Sequence, residues 1–147
     1  KNNIVNSDMI IGAVLIPGAE APKLISRSQL SLIKNGSVLV DVAIDQGGCF
    51  ETSRATTHDA PTYEVDGIVH YCVANMPGAV PNTSTLALSH ATTPFILKLA
   101  QMGWKNACIK DPHLLNGLNV HDGKVTNIEV SKAQDLDYVD PKALLSL

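Results

Sequence analysis

The 147-residue chain is poor in charge, with 17% Asp, Glu, Lys and Arg, a formal net charge of -3 and no basic cluster. A surface of that kind lacks the electrostatic footprint that a phosphate backbone selects, so no nucleic-acid partner is expected. No apolar run approaches the roughly 20 residues that cross a bilayer, so no membrane helix is expected, and no signal peptide is read at the start. Cys49, Cys72 and Cys108 are odd in number and lack any CxxC spacing. They read as buried free thiols of a reducing compartment, which places the protein in the cytoplasm. The five histidines show no HxxxH spacing, and no metal site is expected. A GxSxG elbow, a Walker loop and a GxGxxG turn are all missing. If a dinucleotide binds here, the phosphate-binding half of its site lies outside this sequence.

What is present is ordinary globular material, 45% hydrophobic and long enough for a real core. The opening "KNNIVNSDMIIGAVL" has no initiator Met and enters an apolar strand almost at once. It reads as a chain whose upstream part is missing, and a processed chain would look the same. Met9 to Leu15 is a short, near-continuous apolar run, the pattern of a strand covered on both faces. "SRSQLSLIKNGS" predicts a helix with Ser26 as N-cap, Leu30 and Ile33 three apart, and Asn35-Gly36 as its stop. Val38 to Ile44 is a second all-apolar strand. Strand, helix and strand of this kind predict a βαβ unit in a parallel sheet, hence an α/β fold.

Further on, Thr62 to Val65 and Ile68 to Val73 flank Asp66-Gly67, a hairpin turn signal. Ser84 to Met102 reads as helix, with Leu86, Phe95, Leu99 and Met102 on its apolar side and Pro94 kinking or splitting it. A short helix, a loop and an "HDGK" turn follow, and Trp104 reads as a packing anchor. Strands and loops dominate before "PGAVP" and helix after it, which predicts a domain boundary near Gly78.

Three strand ends run into small residues and then Gly or Pro: "AVLIPG", "VAIDQGG" and "VANMPG". In an open parallel sheet ligands bind outside such ends, where glycine lets backbone approach closely. Asp45 ends the second run. A carboxylate there either caps nearby backbone or meets a ligand, where it can transfer a proton or orient a hydroxyl. Asn75 suits polar ligand contacts or a turn. Arg54 balances a ligand anion or is a solvated loop residue.

Taken together, "IIGAVLIPGAEAPKL", "VDVAIDQGGCFETSR", "THDAPTY", "YCVANMPGAVPNTSTLAL" and "LKLAQMGW" resemble the C-terminal part of bacterial L-alanine dehydrogenases, from Met9 to about Gly123. The resemblance implies a two-domain subunit, with a Rossmann domain inserted into a substrate domain and the subunits assembled as hexamers. Residues 1–78 would be the C-terminal half of the NAD-binding domain, with parallel strands and a crossover helix. Residues 79–147 would be a helical return to the substrate domain. The implied reaction is reversible oxidative deamination of L-alanine to pyruvate and ammonia with NAD.

By the same resemblance, Val14 and Leu15 line the adenosine or ribose side of NAD, with Leu24 nearby. Val42, Ala43, Ile44 and Asp45 lie near the ribose and nicotinamide, with Arg54 in the same region. Val73, Ala74, Asn75 and Met76 close over the nicotinamide ring. Asp45 corresponds to the family's catalytic aspartate, which works beside a histidine. That histidine, the GxGxxG turn, its ribose-binding acid and the Lys and Arg for the substrate carboxylate are implied to lie upstream, leaving this chain a fragment without activity of its own. A related NAD-binding module of proton-translocating transhydrogenase would lack Asp at this position and lead toward membrane segments. An inactive remnant that survives by oligomerising is the third reading.

Overall fold

A computed structural model describes residues 2–145; Lys1 of the opening segment and the last two residues lie outside the described part. Two compact units emerge. The first extends to Ile16 and resumes over Glu20–Ala79; the second takes Pro17–Ala19 and the chain from Val80 onward.

The first unit begins with a short helix, α1 (Asn2–Val5), and is built on a four-stranded sheet. Its strands are β1 (Met9–Gly12), β2 (Val38–Asp41), β3 (Thr62–Val65) and β4 (Ile68–Tyr71), in the order β1-β2-β4-β3. β1, β2 and β4 are parallel and β3 is antiparallel to β4. The parallel α/β arrangement is the one the sequence predicts, but each apolar strand is shorter. β1 stops at Gly12, three residues before Leu15, and β2 stops at Asp41, three before Ile44. β4 stops at Tyr71, leaving Val73 as an isolated bridge to Thr56.

Burial alternates along the central strands, so one face of the sheet is covered rather than both. Leu39 and Asp41 of β2 and Ile68 and His70 of β4 are buried, whereas Val38, Val40, Val69 and Tyr71 are only half-buried. At the edge, Met9 and Ile11 are exposed. The covered face packs with Leu30, Ile33, Phe50, Ile25 and Cys49 into one cluster. Gly12 is required there: a Cβ on it would meet Cys49 Sγ at 2.2 Å and Phe50 at 2.7 Å.

The predicted crossover helix is a six-residue 3₁₀ helix, Arg27–Leu32. Ser26 does start it, its N–H donating to Gln29 Oε1 at 2.8 Å, and Gly36 with φ +82° turns the chain out. In the β3–β4 hairpin, Asp66 and Gly67 both have positive φ, 52° and 78°. That is the geometry of the type I′ turn matched to strand twist.

In the second unit, α2 (Pro81–Lys110) runs past Pro94 without being split; the one non-helical residue inside its span is Gly103, at φ 70° and ψ 155°. Proline costs the helix one N–H bond but keeps a helical φ, whereas Gly103 takes a conformation that a side chain would oppose. Lys98 Nζ reaches across this break to Asp111 Oδ2 at 2.6 Å. Asp111 also caps α3 (Pro112–Asn116) by accepting the His113 N–H at 2.9 Å. The "HDGK" turn joins β5 (Val120–His121) to β6 (Lys124–Val125). Trp104 remains 38% exposed and meets His121 in a tilted ring pair, centroids 4.3 Å apart and planes at 44°. α4 (Ile128–Gln134), capped by Asn127, and α5 (Pro141–Leu145) close the unit. Leu86, Phe95 and Leu99 of α2 are exposed, as are Leu88, Ile96 and Leu97, and Met102 is half-buried. At about 100° per residue Leu88, Phe95, Leu99 and Met102 share a face, while Leu86 lies opposite with Leu97. The predicted apolar side thus excludes Leu86 and is largely uncovered by the described residues.

Candidate functional site

The end of β2 carries two carboxylates with different surroundings. Asp41, on the covered face of the sheet, is fully buried. It accepts the backbone N–H of Cys49 at 2.8 Å and of Phe50 at 3.4 Å, together with the Ser53 hydroxyl and the Cys49 thiol at 3.4 Å. Burial, reinforced by Asp41, pushes the Cys49 thiol up to about 11, so it stays protonated and unreactive. Asp41 thus ties the strand to the loop that follows. Gly48 gives it room, since a Cβ there would lie 2.8 Å from Asp41 Oδ2.

Asp45 performs no such task. After Asp41 the Val42 N–H donates to Gly12 O at 2.8 Å, and Ile44–Gln46 form a single 3₁₀ turn closed by Gln46 N–H to Ala43 O at 2.9 Å and Gly47 N–H to Ile44 O at 3.1 Å. Asp45 sits exposed in this turn. Among the described residues its carboxylate has no hydrogen-bond or ion-pair partner, so the local cap is Asp41.

A cleft of about 290 Å³ opens where the chain leaves β1 and β2, at the C-terminal ends of the parallel strands. Val14, Leu15, Val42, Ala43 and Asp45 line it, together with Ala13 and Gln46. The lining is mostly apolar with two polar groups, the composition of a small-molecule site. Gln46 Oε1 is buried and without a partner, the one side-chain oxygen or nitrogen so placed among the described residues. A buried acceptor left empty is costly. That oxygen has almost no exposed surface, so its missing partner belongs to the packing of the turn and not to a contact in the cleft. A larger groove of about 720 Å³ lies beside Arg27, Glu51 and Asp66. Its polar groups already bond one another, Arg27 N–H to Glu51 at 2.6 Å and the Arg27 guanidinium to Asp66 at 3.4 Å.

The other predicted residues divide. Ile44 and Val73 are buried, at 7% and 1% exposure, so their side chains serve the core. Leu24 is exposed and outside the cleft lining, on a segment bonded to the turn by Leu24 N to Cys49 O at 2.7 Å. Ala74 follows β4 and donates its N–H to Thr56 O at 3.1 Å; Met76 opens the 3₁₀ turn Met76–Ala79. Between them Asn75 holds a positive φ of 61°, a conformation that Asn tolerates better than most residues. Its carbonyl accepts both His58 Nε2 and the Gly78 N–H at 2.9 Å. This third strand end leaves the same edge of the sheet as the cleft, because β4 is parallel to β2.

Arg54 is anchored rather than free. Its guanidinium lies 4.0 Å over the Tyr63 ring and its N–H donates to Tyr63 Oη at 2.8 Å. Tyr63 donates to Thr52 O at 2.9 Å and stacks on His70 at 4.9 Å. His70 is fully buried; Nδ1 faces the Ile68 carbonyl at 3.0 Å and so carries the proton, leaving Nε2 to accept from Thr52 Oγ1 at 2.7 Å. Burial lowers the His70 pKa and raises that of Tyr63, keeping both neutral. Asp41 is not singled out by the sequence. The signal for Asp41 was its place in the alternation of "VLVD", which puts it on the same face as Leu39.

Residues 1–128 match the family model described as "Alanine dehydrogenase/PNT, C-terminal domain". The chain is 65% identical over 139 residues to an alanine dehydrogenase of Halomonas elongata, covering 95% of this chain and 38% of that protein. Among solved structures it is similar to an L-alanine dehydrogenase, with TM-score 0.71 and 48% identity over 91% of this chain and 37% of that one. A transhydrogenase from Sinorhizobium meliloti is similar over 58% of this chain and 24% of that one, with TM-score 0.52 and 34% identity. The chain spans about two fifths of the length of the curated relatives it matches.

Proposed function

The chain belongs to the alanine dehydrogenase/PNT C-terminal domain family, and on that footing we propose that it is the C-terminal part of an NAD-dependent L-alanine dehydrogenase. The observation that carries this reading is Asp45, an exposed carboxylate without a partner among the described residues, lining a mostly apolar cleft at the C-terminal ends of the parallel strands. Residues 1–78 would form the C-terminal half of the NAD-binding domain and residues 79–147 the return to the substrate domain.

Val14, Leu15, Val42 and Ala43 supply an apolar bed for the ribose side of NAD, with Gln46 at its margin. Val73 to Met76, with Asn75 held by His58, flank the nicotinamide through backbone and exposed side chain. Leu24, Ile44 and Arg54 support the surrounding backbone. When bound, NAD supplies the acceptor for the hydride of L-alanine. Asp45 favours the positive charge that develops on the substrate nitrogen as pyruvate and ammonia form. A cytoplasmic hexamer completed by an upstream part of the same enzyme follows from the family reading. The transhydrogenase-type module is less favoured, since the likeness to it covers less of the chain at lower identity.

The test is formation of NADH by the complete protein that contains this chain. L-alanine should support it, and pyruvate with ammonia should consume NADH. Exchange between NADH and NADP analogues without amino-acid oxidation would favour the transhydrogenase reading instead.

A further inference from the structure

The segment Ala21–Ile25 runs alongside the turn that carries Asp45. Ala21 N–H donates to Gln46 O at 2.9 Å and Leu24 N–H to Cys49 O at 2.7 Å, while Ile25 bridges Phe50 in parallel. Between those rungs lie Gly47 and Gly48, both left-handed at φ 84° and 73°. Two such residues in succession cannot continue the 3₁₀ ladder, so their carbonyls need another donor. One side chain supplies it: Lys23 Nζ donates to Gly47 O at 2.5 Å and to Gly48 O at 2.6 Å. The lysine springs from fixed backbone, because Ala21 and Ile25 on either side are buried in the core.

We propose that Lys23 is a positioning residue for Asp45, clamping the two glycine carbonyls so that the Ile44–Gln46 turn presents its side chains to the cleft in one orientation. The inference rests on the reading of Asp45 as the catalytic carboxylate. Gly47 and Gly48 hold four soft dihedrals beside that residue. Neither has a side chain to pack, and an ammonium bonded to both carbonyls restricts them together. Charge-assisted bonds are about twice as strong as neutral ones. A misplacement of about 1 Å at a reacting group costs up to roughly 100-fold in rate, so a loosened turn is expected to show in kcat before it shows in cofactor binding.

The test uses the complete enzyme and a double-mutant cycle. Lys23→Met should lower kcat about tenfold with a smaller change in KM for NAD, and Lys23→Arg, whose guanidinium can span two carbonyls, should restore most of the loss. In an Asp45→Asn background, Lys23→Met should change kcat less than about twofold, because the group it positions is gone. A normal kcat in Lys23→Met beside a low one in Asp45→Asn overturns the clamp and leaves the catalytic reading intact. Losses that multiply also overturn it, since the two residues would then act independently. A normal kcat in Asp45→Asn overturns the catalytic reading itself, and the clamp's catalytic role with it. Should Lys23→Met fold poorly, Lys23→Gln, which retains a donor for one carbonyl, runs the same cycle.

Discussion

The Asp41 carboxylate accepts the Cys49 N–H at 2.8 Å inside the core, joining the last residue of β2 to the loop eight residues on. That bond settles which of two nearby acids is structural. Asp41→Ala would leave two buried backbone donors and the Ser53 hydroxyl without an acceptor. Each orphaned buried donor costs about 1–3 kcal/mol. Denaturant unfolding of Asp41→Ala should show a loss of at least about 2 kcal/mol, and a loss below about 0.5 kcal/mol would contradict the assignment.

Gly12→Ala tests the close approach of β1 to the same loop. The new methyl would overlap Cys49 Sγ and Phe50, and overpacking of this kind costs about 1–3 kcal/mol. Cys49→Ala in the same chain should return part of that loss, as read from the thermal midpoint of the double variant.

His70 makes stability depend on pH. Burial holds its folded pKa below the ordinary value, so the unfolded chain takes up a proton first as pH falls. Its contribution is therefore full above about pH 6.5 and is lost as pH drops from there toward the folded pKa. His70→Gln should flatten the fall in unfolding free energy between pH 7 and pH 5. An unchanged slope would mean that the ring is not desolvated.

Asp111 has a dependence of the same sign, in the more acidic range where carboxylates titrate. Its hydrogen bond from Lys98 holds its carboxyl below the usual range, so the stability it lends is present above the unfolded pKa and fades as pH falls through the folded one. In Lys98→Met the Asp111 titration, followed by carboxyl NMR, should move up toward an ordinary aspartate.

The parts of the fold legible in the sequence were those encoded by neighbours. Asp66-Gly67 specified its hairpin because both residues accept positive φ, and Ser26 marked the start of its helix because Gln29 stands three residues on. Strand ends were less legible. Val42, Ala43 and Ile44 are as apolar as β2, yet they form the following turn, where Ile44 is buried as a core residue would be. Pro94 suggested a break that Gly103 makes instead. Asp41 and Lys23 stayed hidden for a common reason. Their roles depend on donors and acceptors distant in sequence, and local pattern carries no trace of these.

The central claim is that Asp45 faces the reaction rather than the fold, and kcat of Asp45→Asn in the complete enzyme tests it most directly. The substitution keeps shape and removes charge. A group whose interaction strengthens in the transition state affects the chemical step more than binding. The account predicts a fall in kcat of at least about 100-fold, with NAD affinity changed far less and the thermal midpoint unaltered. A kcat close to that of the unsubstituted enzyme would contradict it.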